Sequence, residues 1–410
     1  MHLKINKSTI SSGKLAIEIT GSKSESNRLL LLQALYPNIK IENLSNSDDS
    51  VLMQKALKSD SEIIDIHHAG TAMRFLTAFF STQEGRKIEL TGSKRMKERP
   101  IKILVDALNQ LGAEISYKEN EGFPPLIIKG KKLTKNKVTL QANVSSQYIS
   151  ALLLIASKIE NGIELTLEGK ITSVPYINMT LSLLSEIGIE THFNNNSITV
   201  KPLAQPLKKE ILVVESDWSS ASYFYSIVAL CDVGTEIELT SYKVNSLQGD
   251  SALAEIYKDF GVATFYNENS VILKKVSGVS NESVITFDLA NSPDIAQTIS
   301  VTAFALGLEC DLTGLHTLKI KETDRLEALK TEIEKLGGKV EITNDSLKLF
   351  ASKKINKDIS IATYNDHRMA MAFAPLALVT SIIIEDAEVV SKSYPTFWDD
   401  LNTIGFQFKK

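Results

Sequence analysis

The chain of 410 residues is 43% hydrophobic and 23% charged, and its net charge is −4. This length predicts roughly two to three domains, and the negative charge argues against a nucleic-acid-binding protein, whose binding face usually makes the domain basic. The two cysteines, Cys231 and Cys310, are too few for a disulfide framework and lack metal-ligand spacing, so we expect a reducing compartment and no metal.

Neither the N-terminus nor the most apolar segment predicts targeting to a membrane. The N-terminal sequence MHLKINKSTI lacks the apolar stretch of a signal peptide. The most apolar segment, Met369–Ile384, has 16 residues, contains Pro375 and is short for a membrane span. We therefore expect a buried helix that leads into a strand there, and a cytoplasmic protein that binds no membrane.

Five predicted helix starts carry Lys or Arg, Ser or Thr hydroxyls, or both. Unpaired N–H groups and the positive end of the helix dipole make such starts suitable for anions. Taken singly, the Ser-Ser-Gln sequence is typical of an N-cap and the Lys-Arg run of a solvated surface. Together they predict a small ligand with more than one phosphate or carboxylate. The segments are Gly21–Leu35, predicted to open an amphipathic helix, His67–Phe80, Gly92–Leu108, Val144–Ala156 and Tyr364–Phe373.

A helix, a glycine and a short strand follow one another at five places along the chain. Each glycine stands where a helix needs a left-handed residue before the chain turns into a strand. A sixth unit is expected near Val51–Ile66, which has the helix pattern but no glycine. This periodicity predicts two similar lobes of three units each, with the site in the cleft between them. The glycines are Gly112, Gly188, Gly261, Gly337 and Gly405, separated by 76, 73, 76 and 68 residues.

The segment TLKIKETDRLEAL places two acids and two bases within five positions, where the pattern changes from an alternating strand to a helix. Asp324 suits a helix cap. Glu322 is an acid-base candidate, and so is Asp294, for which a helix N-cap is the alternative. Nearby cations are expected to hold both carboxylates ionised, so an acid role for Glu322 requires substrate charge or burial to raise its pKa.

The motifs GSKSxSNR, AGTAMR, RMKERP, SSQ, NSPDIA, KETDR, YNDHRMAM and SK before an aromatic-Pro pair occur here in the order found in the 5-enolpyruvylshikimate-3-phosphate (EPSP) synthase family. The chain resembles that family from about Gly21 to Pro395. The resemblance implies an α/β fold, a two-lobe inside-out α/β barrel of six repeated βαβαββ-type units. It also implies transfer of the enolpyruvyl group of phosphoenolpyruvate to the 5-hydroxyl of shikimate 3-phosphate, with release of phosphate and without a metal or organic cofactor.

The same resemblance assigns roles to residues at the matching positions of this chain. The implied catalytic residues are Lys23, Asp294 and Glu322. The implied shikimate 3-phosphate ligands are Lys23, Ser24, Arg28, Ser145, Ser146, Gln147, Ser173, Tyr176, Asp294, Thr317 and Lys321. The implied phosphoenolpyruvate ligands are Lys23, Gly70, Arg99, Gln147, Arg325, Arg368 and Lys392. Secondary positions are His68, Arg74, Asp366 and His367.

The implied lobes are residues 21–215 and residues 1–20 combined with 216–410. Substrate binding is expected to close the cleft between them and expel water. The expected partners are the two small substrates alone, without nucleic acid or membrane, and the protein is expected to be a monomer because no unexplained apolar stripe is visible.

Four residues depart from the usual family pattern: His68, Phe75, Thr317 and Lys319. The resemblance places them in the walls of the phosphoenolpyruvate pocket and among the shikimate contacts, where they bear on affinity and on sensitivity to inhibitors such as glyphosate. One alternative is the sister enzyme that uses UDP-N-acetylglucosamine, which typically has a loop cysteine, whereas Cys231 follows an apolar helix and is expected to be buried. A second alternative is a non-catalytic sugar-phosphate sensor, which predicts loss of an acid-base residue that this chain retains.

Overall fold

The computed structural model of the protein describes residues 1–11, 15–141, 145–169, 171, 174–279, 284–352 and 354–409. The helices are α1 Lys23–Leu35, α2 Asp48–Lys58, α3 Gly70–Ser81, α4 Lys94–Lys97, α5 Lys102–Gln110, α6 Ser146–Ala156, α7 Val174–Glu186, α8 Trp218–Ala229, α9 Leu253–Ile256, α10 Ala296–Leu306, α11 Arg325–Lys335, α12 His367–Phe373 and α13 Phe397–Thr403. The 3-10 helices are Gly249–Ala252, Tyr257–Phe260, Pro293–Ile295, His316–Ile320, Ala374–Leu378 and Ala387–Lys392.

The strands are β1 Leu3–Ile5, β2 Leu15–Ile17, β3 Lys40–Glu42, β4 Ile63–Asp65, β5 Lys87–Thr91, β6 Glu114–Tyr117, β7 Leu126–Lys129, β8 Lys137–Gln141, β9 Ile163–Glu168, β10 Thr191–Asn194, β11 Ser197–Val200, β12 Ile211–Val213, β13 Glu236–Thr240, β14 Val262–Tyr266, β15 Ser270–Lys275, β16 Ile285–Asp288, β17 Cys310–Thr313, β18 Lys339–Ile342, β19 Leu347–Phe350, β20 Ile359–Ile361, β21 Ile382–Ile384 and β22 Phe408–Lys409.

The chain forms two compact units. Unit 1 combines Met1–Thr20 with Glu215–Lys410, and unit 2 is Gly21–Val214. The expected boundary placed Glu215 in the other lobe, one residue away. Glu215 belongs to unit 1 because its buried carboxylate accepts hydrogen bonds from Trp218 Nε1 at 2.8 Å and Ser246 Oγ at 2.6 Å, both in that unit.

Five sheets within the described residues share one strand order. In each, two parallel neighbours are extended by two antiparallel strands, as in β16-β17-β19-β18. Unit 1 also contains β14-β15-β13-β2 and β20-β21-β1-β22, and unit 2 contains β4-β5-β7-β6 and β10-β11-β9-β8. Parallel strands need a crossover, which α10 supplies between β16 and β17. The recurring element order is therefore βαβαββ.

The sixth predicted unit is shorter than the others. Its sheet in the described part of the chain consists of β3 and β12, paired in parallel. The helix expected in Val51–Ile66 is present as α2, and the strand as β4. That strand pairs with β5 and opens the next sheet, and only residues 59–62 separate it from α2.

The five repeat glycines all have a left-handed backbone, with φ between 75° and 116°. Each lies between the end of a helix and the start of a strand, as the pattern predicts. At Gly405 the close approach of the chain adds a second constraint, since a Cβ atom there would lie 2.6 Å from the carbonyl oxygen of Thr9.

The helix α1 is not amphipathic, although its sequence predicts an amphipathic helix. Nine of its 13 residues, including Glu25 and Arg28, are buried. It packs against α2, α3, α6 and α7 of unit 2, so its polar residues also face protein.

In unit 1, α10 packs against α8, α11 and α12. The predicted buried segment Met369–Ile384 is confirmed: α12 and a 3-10 helix lead into β21. Among the described residues, no helix combines the length and apolarity needed to cross a membrane.

Candidate active site

A buried cluster of charged side chains lies in unit 1, centred on Arg325, the first residue of α11. Its side chain is 2% exposed and donates three hydrogen bonds to three different carboxylates. Nε donates to Asp366 at 2.7 Å, Nη1 to Asp294 at 2.8 Å and Nη2 to Glu322 at 2.8 Å. The guanidinium therefore fixes the relative positions of three acids that come from separate parts of the sequence.

Asp294 lies among three cations. The Nζ atom of Lys321 is 3.4 Å from its Oδ1 atom, and Nη2 of Arg368 is 3.3 Å from its Oδ2 atom. Burial by itself would raise the pKa of Asp294, but Lys321, Arg368 and Arg325 together hold it well below its ordinary value. Asp294 is thus a carboxylate held ionised, and its side chain serves this cluster rather than an N-cap.

The turn KETDR follows a 3-10 helix, not a strand. The strand β17 ends at Thr313, and His316–Ile320 forms the 3-10 helix before the turn. Gly314 breaks the strand with φ of 76°, and a Cβ atom there would lie 2.4 Å from the amide nitrogen of Ala290. The predicted cap is confirmed: Asp324 Oδ1 accepts from the backbone N–H groups of the first turn of α11.

The loop before α12 brings Asp366 and Arg368 into the cluster. Asp366 caps the helix by accepting from the Arg368 amide at 2.9 Å, and its other oxygen binds Arg325. Two consecutive non-glycine residues, Tyr364 and Asn365, are left-handed with φ of 54° and 55°. Lys392 Nζ donates to the carbonyl oxygen of Asn365 at 2.6 Å, so this predicted ligand lies beside the loop.

The carboxylate of Glu332 holds the same loop from the other end of α11. This fully buried side chain accepts from the Tyr364 hydroxyl at 2.6 Å and from the Ala362 amide at 3.3 Å. It thereby stabilises the left-handed backbone just before the cluster residues.

Asp250 and Ser219 belong to the surroundings of Arg368, and no sequence motif indicates either residue. The Ser219 hydroxyl donates to Asp250 Oδ2 and accepts from Arg368 Nη2, the latter at 3.2 Å. Asp250 is 3% exposed, and its Oδ1 atom has no hydrogen-bond partner among the described residues. Burial, then the charge of Asp294, raise the pKa of Asp250 to about 6.

The Asp250→Asn variant should therefore be more stable than the wild-type protein at pH 7.5, by roughly 2 to 3 kcal/mol. Because folding raises the pKa of Asp250 from 3.8 to about 6, its contribution to stability is fully present below pH 3.8 and is lost as pH rises through about 6. The asparagine side chain of the Asp250→Asn variant does not ionise, so the variant does not lose this stability as pH rises. The charged groups that act on this carboxyl are Asp294, Arg368 and Asp217.

Urea unfolding of both proteins between pH 4.5 and 7.5 measures this difference. The advantage of the variant should grow with pH and level off above about pH 6.5. Asp345→Asn, a matched change at an exposed position, should show no such trend. A variant less stable than the wild type at pH 7.5 would contradict the prediction.

In unit 2, the start of α3 lies beside the guanidinium of Arg99. The N-cap residue of this helix, Ala69, provides no side-chain cap. A Cβ atom on Gly70 would lie 2.6 Å from Arg99 Nη1 and 3.0 Å from its Cζ atom. Arg99 is 9% exposed, and its Nε atom has no hydrogen-bond partner among the described residues. A helix start with a guanidinium against it is an arrangement suited to an anion.

Arg74 and Gln147 hold the elements around this helix start. Arg74 Nη1 donates to the carbonyl oxygen of Gly70 at 3.1 Å and Nη2 to that of Pro100 at 3.0 Å, so it ties the segment that carries Arg99 to α3. Gln147 Nε2 donates to Thr71 Oγ1 at 3.1 Å and links α6 to α3. The structure therefore brings together Gly70, Arg99 and Gln147, three of the predicted phosphoenolpyruvate ligands.

Arg28 is more enclosed by protein than its predicted role suggests. It is 2% exposed and donates one bond from Nε, one from Nη1 and two from Nη2. Four of its five N–H groups are thus used. Burial lowers the pKa of Arg28 to about 10. The ring of Phe75, one of the departures from the family pattern, lies 5.5 Å from its Cζ atom in a cation–π contact. The acceptors are Ser24 O, Ser150 Oγ, Tyr176 O and Thr180 Oγ1.

The other predicted residues of unit 2 lie at helix starts. Lys23 begins α1, with its Nζ atom 3.7 Å from Asp49 Oδ2. Ser145 is the N-cap of α6, where its Oγ accepts from the Gln147 amide at 3.3 Å, and Ser146 is the first helical residue. The prediction for Ser173 lies outside the described residues.

The remaining predicted positions belong to both units: Thr317, Lys319 and His367 to unit 1, and His68 to unit 2. Thr317 Oγ1 is shielded from solvent without a hydrogen-bond partner among the described residues, whereas Lys319 donates to Asn344 at 3.0 Å. His68 is half-buried before α3, and His367 Nδ1 is 3.9 Å from Asp366 Oδ1.

Neither cysteine suggests a reactive thiol. Cys231 is only partly buried, not buried as its sequence predicts, and Cys310 is buried. Burial raises the pKa of Cys231 to about 12. The described ranges contain no group of three or more His, Cys, Asp or Glu side chains arranged to hold a metal ion.

Comparison with known sequences decides the family. The profile of EPSP synthase (3-phosphoshikimate 1-carboxyvinyltransferase) matches residues 58–401. The chain belongs to the EPSP synthase family. The protein named 3-phosphoshikimate 1-carboxyvinyltransferase from Bacteroides fragilis (strain ATCC 25285) is 49% identical over 401 residues, covering 97% of this chain and 96% of the relative. The protein of the same name from Histophilus somni (strain 2336) is 36% identical over 434 residues, covering 98% and 99%.

Solved structures show the same fold. EPSP synthase from Acinetobacter baumannii superposes with a TM-score of 0.80 at 21% identity, with 100% of each chain covered. The predicted family, the two-lobe α/β fold class and the assignment as a transferase are thereby confirmed. In this member of the EPSP synthase family, Lys23, Arg325 and Arg368 lie at helix starts.

Proposed function

We propose that this chain transfers the enolpyruvyl group of phosphoenolpyruvate to the 5-hydroxyl of shikimate 3-phosphate and releases phosphate, a step of the shikimate pathway towards chorismate and the aromatic amino acids. One observation carries the proposal: a single buried guanidinium, Arg325, holds Asp294, Glu322 and Asp366 beside two further cations. Family membership supports this reaction, since the relatives bear the name 3-phosphoshikimate 1-carboxyvinyltransferase.

The charge arrangement suits two anionic substrates. Arg325 and Arg368 are proposed to bind phosphoenolpyruvate with Lys392, and Lys321 to bind shikimate 3-phosphate with Thr317. In unit 2, the Arg99 guanidinium and the backbone N–H at Gly70, the start of α3, are proposed to bind phosphoenolpyruvate as well. Preorganised cations stabilise charge that develops in the transition state, so positioning and electrostatics would provide most of the catalysis.

Asp294 and Glu322 are proposed to move the protons. Asp294 takes the proton of the 5-hydroxyl while the oxygen of that hydroxyl forms a bond to C2 of phosphoenolpyruvate. Glu322 gives a proton to the methylene carbon. In the collapse, the C2–phosphate bond breaks, phosphate leaves with the proton from Asp294, and Glu322 regains a proton from the methyl group. An anion that draws Arg325 away favours the protonated form of Glu322.

Phosphate release by the purified protein tests the proposal. Phosphoenolpyruvate is supplied with shikimate 3-phosphate or with UDP-N-acetylglucosamine, and Glu322→Gln is compared with Glu327→Gln, an exposed glutamate of α11. We expect phosphate release from phosphoenolpyruvate with shikimate 3-phosphate and not with the UDP sugar. This release should be lost in Glu322→Gln and kept in Glu327→Gln. Release only with the UDP sugar would mean the sister reaction, and binding of both ligands without release would mean a sensor.

The Gly70→Ala variant should raise KM for phosphoenolpyruvate by about tenfold or more, the loss of roughly one charged contact. The new Cβ atom would lie 2.6 Å from Arg99 Nη1, so the guanidinium at the end of its flexible side chain must move. KM for shikimate 3-phosphate should change less than twofold. Gly278→Ala, which meets no atom within 4 Å, is the matched control. An unchanged KM for phosphoenolpyruvate would show that Arg99 does not bind it.

A further inference from the structure

The side chain of Arg368 is held from two sides in unit 1. On one side, Nη1 donates to the carbonyl oxygen of Asp294 at 3.2 Å, and Nη2 lies 3.3 Å from its carboxylate. On the other side, Nη2 donates to Ser219 Oγ at 3.2 Å. The Nε atom is buried and has no hydrogen-bond partner within the described ranges. The anchored guanidinium therefore keeps a donor for a ligand.

Asp250 determines which way the Ser219 hydroxyl points. A hydroxyl group has one hydrogen, and here it is donated to Asp250 Oδ2. The lone pairs of Ser219 Oγ are then left to accept from Arg368. Only a group that accepts without donating makes this direction unambiguous, and an ionised carboxylate is such a group. An amide at position 250 could donate to Ser219 and turn the hydroxyl hydrogen towards the guanidinium.

Three separate elements supply this chain of contacts. Asp250 lies in the 3-10 helix Gly249–Ala252, Ser219 is the second residue of α8, and Arg368 is the second residue of α12. Asp250 makes no direct ion pair with a cation within the described residues, so its hydrogen-bonded contact with Arg368 runs through the Ser219 hydroxyl. A buried carboxylate without a direct ionic partner costs stability, which indicates that another function maintains it.

We propose that Asp250 is a positioning residue which, through Ser219, orients the Arg368 guanidinium for the phosphoenolpyruvate anion. This inference rests on the proposed function for the identity of the anion. Asp250 itself touches no substrate. Because it orients a binding group and takes no part in the chemistry, its loss should affect ground-state and transition-state binding alike and appear in KM rather than kcat.

Steady-state kinetics of Asp250→Asn, Ser219→Ala and the double variant test the proposal. Each single variant should raise KM for phosphoenolpyruvate by about tenfold, as expected for one charge-assisted hydrogen bond, while kcat and KM for shikimate 3-phosphate stay within about twofold. KM of the double variant for phosphoenolpyruvate should not exceed that of the more impaired single variant, because the two residues act in series. Ser222→Ala, which removes a buried hydroxyl of the same helix that contacts Thr298, should leave both KM values unchanged.

Three results would each overturn the proposal: equal rises in KM for both substrates, effects of the two single variants that add up in the double variant, or an unchanged KM for phosphoenolpyruvate. Calorimetric titration of phosphoenolpyruvate into the wild-type protein and Ser219→Ala tests the same role independently of the Asp250→Asn variant. This titration and the phosphate-release assay with both substrates separate the two proposals. A wild-type protein that binds phosphoenolpyruvate and shikimate 3-phosphate together without releasing phosphate disproves the proposed function, whereas equal affinity of wild type and Ser219→Ala for phosphoenolpyruvate disproves the positioning role.

Discussion

Replacing Arg325 by methionine should lower the free energy of unfolding of unit 1 by about 3 to 5 kcal/mol at pH 7. The guanidinium is 2% exposed and binds three carboxylates at 2.7 to 2.8 Å. Without this guanidinium, the carboxylates of Asp366, Asp294 and Glu322 remain close together with too little positive charge around them, and Asp366 is fully buried. Repulsion and poor solvation then destabilise the folded state.

Tryptophan fluorescence during urea unfolding measures this loss selectively. The two tryptophans of the chain, Trp218 and Trp398, both lie in unit 1. Arg95→Met removes an arginine whose ion pair with Glu98 is about half exposed, and it should change stability by less than about 0.5 kcal/mol. A loss below 1 kcal/mol in Arg325→Met would mean that the three acids do not depend on this guanidinium.

Replacing Asp294 by asparagine should lower kcat by about 10²- to 10⁴-fold, the range typical of lost general base catalysis. The amide has nearly the same shape but cannot take the proton of the 5-hydroxyl. Lys321, Arg325 and Arg368 remain, so both substrates should still bind. Single-turnover measurements with saturating substrates separate the chemical step from binding and product release.

Asp324→Asn is the matched control for Asp294→Asn. Asp324 lies in the same charged region but caps α11, where asparagine is also a good cap. Its kcat should stay within a few-fold of wild type. If Asp294→Asn kept wild-type kcat, another group would have to accept the proton, and the role proposed for Asp294 would be wrong.

The fold was largely predictable because the glycine positions follow from backbone geometry. A left-handed residue between helix and strand is a local requirement, and five such positions at near-constant spacing indicated the repeat. The sixth unit was harder to predict, since the strand after α2 looks the same in sequence whether it closes one sheet or opens the next. Likewise, the pattern of α1 could not reveal that its polar residues face other helices.

The site was predictable where the residues lie in motifs and not where they act through isolated contacts. Asp294, Glu322 and Arg325 occur in segments whose character and family resemblance indicated them. Asp250 and Ser219 carry no such signal, because an acid after glycine in a short turn is usually exposed. Their importance depends on a hydrogen bond between residues 31 positions apart. The alternative of an N-cap for Asp294 was likewise decided only by its contacts in three dimensions.

The insertion of unit 2 within the chain of unit 1 has a consequence for synthesis on the ribosome. Unit 2 is continuous, so all of its strands are available once Val214 has emerged. The strand β1 instead pairs with β21 and β22, with Leu3 opposite Ile384. This strand must therefore wait, unpaired, until almost the whole chain has been made. We expect the inserted unit to fold first, and the unit that carries the Arg325 cluster to be completed only after translation ends.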